Sequence, residues 1–89
     1  MATVSRKDIE ASVERRMVAW MASRLDPVSL SDVSQRFSRH AAPVRRRVLA
    51  RLVKKGVAIQ FKGDQPLRGP TATLYEIDPD ADLSLEYGL

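Results

Sequence analysis

Eighty-nine residues with 44% apolar side chains and no cysteine describe one small globular domain, and they exclude disulfides and thiolate metal sites. The opening residues 1–12 hold no signal-peptide core and no run is apolar enough for a bilayer, so a soluble, cytoplasmic protein without a membrane partner is expected. The net charge of +4 conceals a division: residues 1–77 carry fifteen bases against seven acids, whereas residues 78–89 carry Asp78, Asp80, Asp82 and Glu86 and no base. A basic domain over 1–77 and an acidic C-terminal tail over 78–89 follow.

Ser5, with Asp8 three residues later, has the pattern of a capping box for a first helix. The apolar series Ile9, Val13, Met17, Trp20, Met21 keeps that helix amphipathic to about Arg24, with Trp20 as its largest core contribution. Pro27 disfavours a helical Asp26 and forces a break. Ser29 and Asp32 repeat the box, and Val28 and Val33 are spaced as a hydrophobic staple, which predicts a short helix over Leu30 to Phe37. The residues from Ser38 to Ala42 read as a turn. Pro43 suits the first position of a third helix that runs to about Lys55, where Gly56 stops it. Beyond it the period changes to two. Val57, Ile59 and Phe61 alternate with Ala58, Gln60 and Lys62, and after the breaker-rich loop from Gly63 to Pro70 a returning strand covers Ala72 to Ile77. The pair forms a long-looped hairpin.

The segment from Arg36 to Lys62 holds nine Lys and Arg residues and no Asp or Glu. Within it Val44, Val48 and Leu52 mark one helix face, and Arg46, Arg47 and Lys54 fall on the other around the small Ala50. A helix that buries one side and presents cations on the other is suited to a polyanion, and the segment points to double-stranded DNA. Neighbouring helical residues diverge by about 100°, so Arg45, Arg46 and Arg47 cannot all read bases. Arg46 and Arg47 are the candidates for guanine contacts, and Arg45 is left to phosphate or to covering the core edge with its stem.

The segments PVSLSDVSQRF, VRRRVLARLVKKGVAI and ATLYEI, in this order, resemble the winged helix-turn-helix family across residues 5–77. The resemblance implies an α+β fold of three helices followed by a β-hairpin wing. It places the third helix in the major groove and the wing on backbone or minor groove. By position, Arg39, His40, Arg46 and Arg47 then lie nearest base edges, Lys54 nearest phosphates, and Lys62 and Arg68 on the wing. A small transcriptional regulator is implied, with homodimerisation as the route to a symmetric two-half-site target. The turn departs from the family in lacking a glycine between the second and third helices.

Other readings stay open. The basic face could dock an acidic protein partner, or structured RNA could take the place of DNA, although the lack of an exposed aromatic anchor on that face favours neither. The tail could be a disordered end, could fold back on the basic face, or could pair as a strand through the alternating Leu83, Leu85, Tyr87 and Leu89. His40 stands alone without cysteines, and the Asp78–Asp82 series lacks the glycine of a calcium loop, so no metal is expected. Nucleophile-elbow and phosphate-loop motifs are missing. The sequence therefore suggests no enzyme, no cofactor and no small-molecule ligand.

Overall fold

In the computed structural model, which describes residues 6–65 and 69–89, the helices and the hairpin follow the order read from the sequence, with two additions. The elements are α1 (Arg6–Ala22), β1 (Val28–Ser29), α2 (Leu30–Arg36), α3 (Ala42–Lys54), β2 (Ala58–Gln65), β3 (Gly69–Ile77) and α4 (Ser84–Tyr87). The additions are β1 and α4. The expected cap Ser5 and the wing residue Arg68 lie outside the described residues.

Helix α1 ends two residues short of the expected Arg24, its last turn tightening as Ser23 Oγ–H donates to the Trp20 carbonyl at 2.7 Å. Its buried stripe is Val13, Met17, Val18 and Met21. Ile9 is largely exposed, and Trp20 sits half-buried at the core edge, its ring meeting Phe37 edge-on at 5.6 Å.

Both N-terminal signals of α2 are present. The Asp32 N–H donates to Ser29 Oγ at 3.2 Å, and the Ser29 N–H donates to the Asp32 carboxylate at 3.0 Å. Val28 and Val33 on either side of this box are buried in the core. A box of this kind stabilises a seven-residue helix by about 1 kcal/mol, which matters because so short a helix would not stand alone.

Helix α3 starts one residue earlier than expected, with Pro43 in its first turn, and buries Val48, Leu49 and Leu52. Gly56, at φ +79°, ends it. The Gly56 N–H reaches the Val53 carbonyl and the Val57 N–H reaches the Leu52 carbonyl, while Val57 and Leu52 are both buried. This is a Schellman stop with its apolar contact, and the positive φ is the reason for glycine.

The sheet is antiparallel in the order β1-β3-β2. Its register corrects the reading of the first wing strand. Gln60 faces Tyr75 and Phe61 faces Leu74, so Ala58, Tyr75 and Ile77 share the core face while Ile59, Phe61 and Leu74 share the outward one. The apolar phase of β2 thus points away from the core. The register is held by β3, whose Tyr75 pairs on its other side with the buried Val28. Gly63 allows this outward cluster to close, since a Cβ there would overlap Leu74 Cδ1.

The tail turns back after Ile77. Asp78 accepts the Asp80 N–H at 2.9 Å, and Asp82 accepts both the N–H and the hydroxyl of Ser84, which starts α4. Leu83 and Tyr87 then pack against the core, leaving Leu85 exposed.

Candidate nucleic-acid interface

The cations of α3 divide into three groups by geometry. The first faces α1, where Glu10 and Glu14, one turn apart, are almost buried beside the apolar stripe. Arg47 Nε donates to Glu10 at 2.7 Å, Arg51 bridges Glu10 and Glu14 at 3.5 and 3.4 Å, and Lys55 reaches Glu14 at 3.2 Å. The result is a ladder of two acids against three bases. The Arg47 hydrogen bond holds the Glu10 carboxyl below its ordinary range. Burial pushes Glu14 upward, but hydrogen bonds from Tyr87, Lys55 and Arg51 outweigh it and leave its carboxyl low.

The acids missing between Arg36 and Lys62 are therefore supplied from another helix. Sequence reasoning had no long-range register with which to see this. The signal was nevertheless present, as Glu10 and Glu14 at i and i+4 against Arg47, Arg51 and Lys55 at the same spacing.

Tail helix α4 completes the ladder. Tyr87 Oη donates to Glu14 at 2.8 Å, Lys55 pairs with Glu86, and the Lys55 ammonium lies 5.6 Å from the Tyr87 ring centroid. Burial and the Glu14 hydrogen bond push the Tyr87 hydroxyl up to about 12, and Glu86 leads the groups that raise Lys55. The tail has thus folded back, but onto the end of α3 at Lys55 and not onto the Arg46 face.

Arg45 forms the second group. Its guanidinium donates to the carbonyls of both Phe37 and His40, and the His40 N–H donates to the Phe37 carbonyl at 3.1 Å. The turn that lacks a glycine is closed in this way, with no positive φ at any described non-glycine residue. Half-buried, Arg45 ties the start of α3 to the turn that precedes it.

The third group is Arg46 and Lys54, exposed on the stripe that includes Ala50 and engaged in no ion pair among the described residues. Arg39 and Lys62 are likewise exposed, one in the turn and one on the wing, and His40 is half-buried in the turn. Arg47 keeps a side chain 40% exposed while bound to Glu10. Of the sequence candidates on α3, the structure leaves Arg46 and Lys54 outward, commits Arg45 to the turn and shares Arg47 with α1. No group of His, Asp or Glu able to hold a metal occurs among the described residues. None of their helices is long and apolar enough to cross a membrane.

No protein-family model and no curated protein matches the chain. A solved structure of a PadR-like transcription factor from Bacteroides fragilis is similar to it, with a TM-score of 0.65 at 14% sequence identity, covering 92% of this chain and 74% of that one. At such identity the likeness is one of architecture. Together with helices α1 to α3, the β1-β3-β2 sheet and the long β2–β3 hairpin, it establishes the fold of this chain as a winged helix.

Proposed function

We propose that the chain is a transcriptional regulator that binds double-stranded DNA, with α3 in the major groove and the β2–β3 wing on backbone or minor groove. The observation that carries this reading is the outward stripe of α3. Arg46 and Lys54 project from it without acid partners among the described residues, and Ala50 between them leaves room for close approach. Arg46, near the start of the helix, supplies base contact; Lys54, two turns on, supplies phosphate contact, as do Arg39 and Lys62.

Selection from random duplexes followed by titration at several salt concentrations tests this. Log K against log salt should fall with a slope of about −3 to −5 per domain. Arg46→Ala should cost about 1–3 kcal/mol on the selected site and much less on random DNA. Lys54→Ala should weaken both alike and flatten the slope by about one unit. Absence of duplex binding at low salt would end the proposal. In that event the runner-up is a winged helix that docks on a protein, favoured by the outward apolar cluster of Ile59, Phe61 and Leu74.

A further inference from the structure

A cleft between the C-terminal half of α1 and the α2–α3 turn shares only Arg39 with the reading above. Trp20 and Phe37 supply its aromatic wall, Arg16 enters from α1, Arg36 from the last turn of α2, and Arg39 and His40 from the turn. No carboxylate is among the described residues that line it. Asp32 borders the neighbouring groove beside Arg24 and Arg36, but its carboxylate accepts the Ser29 N–H. Arg16, Arg36 and Arg39 are exposed and make no ion pair among the described residues, in contrast to the neutralised ladder on the α3 side of α1.

Guanidinium groups gathered around one hollow repel each other, and an anion seated among them both relieves that repulsion and gains charge-assisted hydrogen bonds. A carboxylate has two oxygens in one plane and suits a single fork. A phosphate group presents several acceptor oxygens in tetrahedral directions, which fits forks arriving from three separate segments. We propose that this cleft is a phosphate-binding site, filled by a backbone phosphate of DNA or by a free phosphorylated molecule. The site stands whether or not α3 reads bases.

Trp20 is the chain's only tryptophan, so its emission reports on this cleft. The full chain would be titrated with inorganic phosphate at constant ionic strength, with chloride as the control, and separately with a short duplex. Phosphorus NMR line broadening provides a second readout. Phosphate should change the Trp20 emission saturably where chloride does not. Arg16→Gln and Arg36→Gln should each weaken that response about tenfold, the scale of one charge-assisted hydrogen bond, without altering the melting temperature. Arg46→Ala should leave it unchanged, which separates this site from the α3 surface. A duplex that reproduces the change and competes with phosphate identifies the backbone as the source. A duplex that does not compete identifies a free phosphorylated ligand. If neither phosphate nor duplex gives a saturable response, or if the response survives both glutamine substitutions, the proposal is wrong.

Discussion

Arg45, Arg46 and Arg47 are identical in chemistry and adjacent in sequence, yet each has different surroundings. Arg45 satisfies two carbonyls of the turn, Arg46 faces outward and Arg47 is shared with Glu10. Stability and affinity should therefore separate between neighbours. Arg45→Met keeps much of the stem but leaves the Phe37 and His40 carbonyls without their donor. It should cost about 1–2 kcal/mol in urea denaturation and leave the salt slope of DNA binding unchanged. Arg46→Ala should leave stability within about 0.5 kcal/mol. If Arg45→Met flattened the salt slope at constant stability, Arg45 would be a phosphate contact, as the sequence had allowed. Helical periodicity could say which of the three point apart. It could not say that a carboxylate from a helix 37 residues away in sequence meets Arg47.

At the scale of elements, signals confined to a few neighbouring residues were legible and those requiring a partner strand were not. Ser29 with Asp32 and Gly56 with Val57 announce helix ends because capping is a local hydrogen-bonding problem. Strand β1 is only two residues long and has no period; it exists because Val28 and Ser29 meet Tyr75 and Leu74. In the wing, the apolar phases of β2 and β3 disagree, and the pairing resolves the conflict in favour of β3. The tail misled in another way. Leu83, Leu85, Tyr87 and Leu89 satisfy a strand period, but Leu83 and Tyr87 are also i and i+4 of a helical turn, and these are the two that pack inward. Deleting residues 82–89 removes that packing together with the Tyr87–Glu14 and Lys55–Glu86 contacts. It should lower the melting temperature by about 4–8 °C, the equivalent of about 1 kcal/mol in a domain of this size. An unchanged melting curve would show that the docked tail adds nothing to the fold.

Among the described residues, charge is sorted onto surfaces: a neutralised seam where α1, α3 and α4 meet, and cations without ion pairs elsewhere. Its stability should follow the seam at both ends of the pH scale. Glu10 and Glu14 titrate below their ordinary 4.5 when folded, so as pH falls the unfolded chain takes up protons first. Their contribution is complete above the unfolded value and is lost as pH drops from about 4.5 through the lowered folded values. Tyr87 and Lys55 behave in the opposite sense: folding raises both, so their contribution is complete below pH 10, and that of Tyr87 is lost as pH climbs through about 12 while that of Lys55 persists further. Urea midpoints measured across both windows should decline at each edge. Tyr87→Phe should remove part of the alkaline decline while leaving most of the acid one. A midpoint indifferent to acid would mean that the ladder is too solvated to matter. The seam also bears on how freely the outward face of α3 can vary over evolutionary time. The residues that fix the angle of α3, namely Arg45, Arg47, Arg51 and Lys55, interleave with Arg46, Ala50 and Lys54 along the same helix without sharing partners with them among the described residues. On the DNA-reading role proposed above, a lineage could therefore exchange side chains at 46, 50 and 54 one at a time and drift between sequence preferences while remaining folded at every intermediate.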